Sequence, residues 1–325
     1  MQEQDIWTVR RILLWIEDYL GKHGDENPRV SAQWLVGDAL DMTRMELLID
    51  PDRPLTSDER AVLRDYTRRR AAGEPLQYIT GTTDFRYITV KVEPGVLIPR
   101  PETEVLVSEA LAMIPAPPRP QDAADRRMAA ELYELNGRQQ PEGAEASTEG
   151  ERAELLVADL CTGTGCIACS IAHEHPHVRV VATDIAPEAV ALARQNAESL
   201  GLSERVDVFE CDLGEAVDES LYGAFDLVVS NPPYVPTDVL GAIPDEVSDY
   251  EPSLALDGGE DGLSIYRRIL AWSRKALKPG GGLAVELHET RLEDAAAEAE
   301  YAGFADVRVH DDLAGRPRVL TARNR

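Results

Sequence analysis

The sequence predicts an α/β protein: a doubly wound, mostly parallel seven-stranded sheet, preceded by a small helical domain and a β-hairpin connector. Three observations predict it. From Leu155 onward, short apolar and β-branched runs alternate with segments of helical period. The first of these runs opens into the glycine turn Cys161-Thr162-Gly163-Thr164-Gly165 and then a helix, as the first strand of a doubly wound sheet does. Upstream of Gly73 the apolar residues recur instead at spacings of three and four.

Residues 1–74 read as the helical domain. Ile6, Val9, Leu13, Ile16 and Leu20 mark one buried helix face. Ser31 is the expected cap of a second helix through Leu35 and Leu40, and Thr43 that of a short third. Pro51 and Pro54 break the chain. Thr56 and Ser57, followed by Asp58 and Glu59, open a fourth helix that runs to Gly73. Arg68, Arg69 and Arg70 near its end either complement the helix dipole or form a docking patch.

Residues 75–114 read as a connector. Alternation from Phe85 to Val92 predicts two short strands closed by Pro94-Gly95, and Val105, Leu106, Leu111 and Met113 predict a helix. Residues 115–152 open with Pro115, Pro117, Pro118 and Pro120 and turn polar and acidic from Pro141 to Gly150. A mobile insertion without chemistry is expected there, with a helix around Ala123 to Leu135.

Residues 153–325 carry the sheet. Strands are expected over 155–160, 178–183, 205–210, 225–230, 282–287, 305–309 and 317–322, with helices after the glycine turn and over 187–200, 263–277 and 291–302. Asp184 ends the second strand, 19 residues after Gly165, where an acid can accept both hydroxyls of an adenosine ribose. Gly163 to Ala168 also satisfies the dinucleotide pattern G-x-G-x-x-A, so the residues alone imply an adenosine-containing ligand without saying which. Asn231-Pro232-Pro233-Tyr234 leaves the carboxyl end of the 225–230 strand. Prolines donate no N–H, so fixed carbonyls, a side-chain amide and an aromatic face lie together there. That set suits a planar NH2 group, which hydride transfer has no use for.

The chain of 325 residues, 43% hydrophobic and 28% charged, is long enough for two domains and a substantial core. The net charge of -26 is uneven: residues 1–100 hold 14 Lys+Arg against 17 Asp+Glu, and residues 101–325 hold 19 against 42. A field of that sign repels phosphate backbones, so no direct nucleic-acid binding is expected of the larger part. The apolar cluster Ile12 to Ile16 is too short for a membrane span or a signal core, which points to a cytoplasmic protein, by default a monomer. Cys161, Cys166, Cys169 and Cys211 match the spacing of plant-type iron-sulfur ligands, but Cys166 and Cys169 fall on a helix and read as small packing residues. His173, His175 and His177 fall at the end of that helix and read as facing its negative pole, so no metal is expected.

Taken together, Leu76 to Gly81, Val96 to Glu104, the glycine turn, Asn231 to Tyr234, Tyr250-Glu251-Pro252, Asp261-Gly262 and Asp312 to Arg318 resemble the bacterial release-factor glutamine N5-methyltransferases, the HemK/PrmC family, over nearly the whole chain. The resemblance implies a class I methyltransferase fold with S-adenosylmethionine as donor and S-adenosylhomocysteine as product. It also implies, as acceptor, the glutamine of the Gly-Gly-Gln motif in peptide chain release factors. By position, Cys161, Thr162, Gly163, Thr164 and Gly165 would face the donor, Asp184 its ribose, and Asp212 with Leu213 the adenine. Asn231, Pro232 and Pro233 would hold the amide, with Tyr234 beside it; Asn231, Pro232 and Tyr234 are the expected catalytic set. Cys161 stands where the family commonly has Gly, a replacement that is tolerable if its φ is negative; Leu213 replaces an aromatic of some relatives and His288 a usual Gly. The alternatives are a ribosomal-protein glutamine methyltransferase, an adenine-N6 or ribosomal-RNA methyltransferase, and a non-catalytic or NAD-binding protein of the same fold.

Overall fold

The computed structural model describes residues 6–117, 154–242, 246 and 249–325. The expected helix around Ala123 to Leu135, and nearly all of the insertion that carries it, lie outside the described residues.

The described residues divide into two compact units, one from residues up to Asp84, Thr89–Ile98 and Val239–Ala255, the other from Phe85–Ile88, residues 99–238 and Leu256–Arg325. The first unit is built on α1 (Val9–Lys22), α2 (Pro28–Leu40), α3 (Arg44–Ile49), α4 (Ser57–Ala71) and α5 (Leu76–Thr80). Val9, Ile12, Ile16 and Leu20 are the buried stripe of α1, packed with Leu35, Val36, Leu47 and Leu63. Thr43 and Thr56 each form a capping box with the glutamate three residues on, which satisfies helix donors that have no partner within the helix. Ser31 does not cap α2: the helix starts at Pro28, whose ring presets the first helical φ, and the Ser31 hydroxyl donates instead to Asp25. Arg69 bonds Glu74 and the Tyr78 carbonyl, and Arg70 bonds Asp25 and Glu246, so both guanidiniums are committed inside this unit. Sequence periodicity misses α5, a five-residue helix closed by Gly81 at φ +77.

A two-stranded hairpin, β1 (Thr82–Phe85) and β2 (Ile88–Lys91), follows. The second unit contains α6 (Thr103–Ala112), β3 (Leu155–Leu160), α7 (Cys166–Glu174), β4 (Val178–Asp184), α8 (Pro187–Ser199), β5 (Val206–Glu210) and β6 (Phe225–Ser230). It continues with α9 (Ser264–Ala276), β7 (Leu277–Glu286), α10 (Leu292–Tyr301), β8 (Phe304–Asp311) and β9 (Pro317–Asn324). The seven-stranded sheet has the order β5-β4-β3-β6-β7-β9-β8, parallel except for β9. β6 is buried at all six positions, as a central parallel strand covered on both faces must be. β7 starts earlier than the sequence implies because Leu277 already pairs with Phe225, ahead of a register shift before Leu227 pairs with Gly282. Cys166 and Cys169 are buried on α7, among the packing residues of the sheet.

Candidate active site

The chain winds outward from β3 through β4 to β5, then returns to place β6 on the other side of β3. The carboxyl ends of β3 and β6 therefore flank a topological switch point, where crossover connections leave a crevice. Register fixes what meets there: Leu160 pairs with Thr183 on one side and Ser230 on the other. The Ser230 hydroxyl donates to the Leu160 carbonyl at 2.7 Å, and the Thr162 N–H to Thr183 O at 2.9 Å. Cys161, Asp184 and Asn231 are thus adjacent strand ends, one inter-strand spacing of about 4.8 Å apart from neighbour to neighbour.

On the β3–β4 side, Gly163 has φ +55 and its N–H donates to Asp184 Oδ2 at 2.8 Å, while the Ala186 N–H donates to Oδ1 at 3.0 Å. Burial raises the pKa of Asp184, and those two N–H groups pull against it. Gly165 caps α7 at φ +78; a Cβ there would lie 3.0 Å from that of Ala193, so only glycine lets α7 start against α8. Thr162 and Thr164 are buried: the Thr162 hydroxyl donates to Asp159 at 2.6 Å, and the Thr164 backbone carbonyl accepts from Asn196 Nδ2 at 2.9 Å. They offer a ligand backbone alone. Asp159, fully buried, also accepts from the Ala168 N–H at 3.1 Å and so staples the turn to the helix behind it. Burial pushes its pKa up to about 7. Sequence reading passed over this residue, although a single acid inside the apolar run Leu155 to Leu160 was the signal.

Beyond β5, Asp212 is held by Arg268 at 2.7 Å, and Leu213 packs into the core at φ +50 with 8% exposure. Of that pair only Asp212 keeps a polar group near the surface.

On the β6 side, Asn231 is half-buried and its Nδ2 donates to Thr103 Oγ1, 3.2 Å away at the start of α6. The Tyr234 hydroxyl donates to Glu286 Oε1 at 3.3 Å, at the end of β7. Burial, and then the Glu286 carboxylate, hold the Tyr234 phenol well above its ordinary pKa, so it stays a neutral donor. Burial raises Glu286 to about 7 against the opposing pull of Thr103, Arg318 and Tyr234. The segment after Tyr234 is braced by the loop 256–262. Val235 N–H donates to Leu256 O at 2.9 Å, Gly258 N–H to Val235 O at 2.8 Å, and Thr237 N–H to Gly259 O at 3.0 Å. A Cβ on Gly258 would lie 2.7 Å from Tyr234 Cα, and one on Gly262 2.5 Å from its carbonyl oxygen. Thr103, Glu286, Gly258 and Gly262 are absent from the expected site, though Thr103 and Gly262 lie in stretches that carry the resemblance.

The β3–β4 side has the chemistry an adenosine-bearing molecule needs: an acidic strand end beside a glycine-bearing turn that presents backbone. Two family models match the chain, the PrmC N-terminal domain over residues 11–81 and the methyltransferase small domain over residues 148–241. The release factor glutamine methyltransferase of Geobacter sulfurreducens is 39% identical over 322 residues, covering 99% of each chain. The chain belongs to the release factor glutamine methyltransferase family. The enzymes of that name from Moorella thermoacetica and Caulobacter vibrioides are 37% and 34% identical, covering 98% and 96% of this chain and 99% and 96% of their own.

Two departures from the family pattern acquire a physical description. The condition set for tolerating Cys161, a negative φ, is not met: φ is +60, because Thr162, pinned to Thr183 and Asp159, holds the turn left-handed. A side chain there costs roughly 1–2 kcal/mol, which the packing of Cys161 against the core partly offsets. His288 follows the end of β7 with its ring 6.4 Å from that of Tyr234, and burial followed by Arg318 lowers its pKa, so a neutral imidazole borders the Asn231–Tyr234 segment. Among the described residues no group of three or more metal-ligating side chains gathers, and no helix is long and apolar enough to cross a membrane.

Proposed function

We propose that this chain transfers a methyl group from S-adenosylmethionine to the side-chain amide nitrogen of the glutamine in the Gly-Gly-Gln motif of peptide chain release factors, in the cytoplasm. The observation that carries the reading is the pairing of Leu160 with Ser230, which sets Asn231-Pro232-Pro233-Tyr234 beside the glycine turn. The backbone of Cys161 to Gly165 and the Asp184 carboxylate would hold the donor, and Asp212 would border its adenine. When bound, that donor would supply a methyl carbon made electrophilic by a sulfonium, whose carbon–sulfur bond breaks to leave the neutral thioether S-adenosylhomocysteine.

An amide nitrogen is a weak nucleophile because its lone pair is delocalised into the carbonyl. Asn231 Oδ1 and the Pro232 carbonyl accept its two hydrogens, which orients the nitrogen and favours the positive charge that develops as it gains a carbon. The surplus proton leaves to water. Pro233 keeps the segment extended, and Tyr234, tethered to Glu286, closes one side. Positioning and preorganised acceptors then supply most of the acceleration without a strong general base.

The acidic charge of residues 101–325 and the internal pairing of Arg69 and Arg70 support a protein acceptor over a nucleic acid. Asn231→Ala should lower kcat by about a hundredfold while donor affinity, measured by calorimetry, stays near that of the wild type. Normal turnover in that variant would refute the assignment.

A further inference from the structure

Thr103 opens α6 and is 2% exposed, yet its hydroxyl belongs to the acceptor half of the site, 3.2 Å from Asn231 Nδ2. An asparagine amide can turn either its oxygen or its NH2 toward a ligand, since the two ends are nearly equal in size. Only the first orientation can accept an N–H from a glutamine amide; the second sets donor against donor. The choice depends on whether Thr103 accepts or donates. A threonine hydroxyl has one proton, and Glu286 gives that proton a destination. The Glu286 side chain is 1% exposed, takes the Tyr234 hydroxyl on Oε1, and has no hydrogen-bond partner for Oε2 among the described residues. Thr103 also pulls the pKa of this carboxyl down against burial, the sense expected of a hydroxyl that donates to it. With its proton directed there, its lone pair is left for Asn231 Nδ2.

We infer that Thr103, backed by Glu286, is a positioning residue that locks the Asn231 amide with Oδ1 toward the acceptor nitrogen. The inference rests on the reading of Asn231 as the amide-binding residue. Thr103→Val keeps the shape and removes the hydroxyl, whereas Thr103→Ser keeps the hydroxyl. Methyl transfer to a release factor is measured for the wild type, both variants and Asn231→Ala, with donor affinity followed by calorimetry. In Thr103→Val, kcat should fall about tenfold, with KM for the release factor and donor affinity within about twofold of the wild type, and Thr103→Ser should stay within about twofold in all three. Wild-type kcat in Thr103→Val, or a Thr103→Ser enzyme as slow as it, overturns the inference. Where Thr103→Val does not bind the donor, Thr103→Ala is read against Thr103→Ser by the same criteria. An inactive wild type, or full turnover by Asn231→Ala, overturns the functional reading and this inference together. A slow Asn231→Ala beside an unimpaired Thr103→Val overturns this inference alone.

Discussion

A carboxyl group sealed from water resists ionisation, and Glu286 is sealed almost completely. Its folded-state pKa of about 7 lies above its usual 4.5, burial outweighing the help of Thr103, Arg318 and Tyr234. Between those two values the folded chain keeps a proton that the unfolded chain has released, so stability falls as pH rises through that window and levels off above it. Glu286→Gln lacks this proton. Its melting temperature relative to the wild type should therefore climb from pH 5 to pH 7 and then stay constant; a difference that does not change with pH would show that Glu286 is not held protonated. None of this was legible in the sequence, where Glu286 is one acid after an apolar run. Asn231 and Asp184 were legible, because a polar residue at the carboxyl end of a predicted parallel strand stands where ligands bind in an open sheet and where the core no longer needs an apolar side chain. Cys161 was legible as an oddity, but the sign of its φ is set by Thr162, whose bonds to Asp159 and Thr183 are long-range or inward-facing and leave no local pattern.

At the scale of elements, the alternation of strands and helices after Leu155 recovered each strand of the sheet to within a few residues, since buried parallel strands are continuous apolar runs and their helices are amphipathic. Short elements escaped: α5 spans five residues, less than two turns of periodic signal, and the start of β7 depends on pairing with Phe225 rather than on its own residues. The loop 256–262 escaped as well. Its glycines let the loop lie directly against Tyr234 and Val235, a contact that no local pattern signals. Gly258→Ala should displace this contact, because its Cβ meets backbone rather than a flexible side chain. The expected cost is about 1–3 kcal/mol of stability, read as a lowered denaturant midpoint, together with reduced turnover. An unchanged midpoint and turnover would mean that the loop does not brace the acceptor segment.

Across the whole molecule, the winding that reverses at β3 and β6 unites residues separated by more than a hundred positions, Thr103 and Asn231 among them. Sequence reading supplied the two halves of the site; the sheet order supplies their adjacency. The net charge of -26 is a property of the same scale, and it sets a direction for partners rather than a site. The central claim is that the switch point serves a protein glutamine amide. The most direct test offers the purified protein a methyl-labelled donor with a release factor, with the same factor carrying a replacement for the Gly-Gly-Gln glutamine, and with ribosomal RNA, and maps the label by peptide mass spectrometry. Label confined to that glutamine of the intact factor is the predicted result; equal label in the glutamine-replaced factor, or label in the RNA alone, would contradict it.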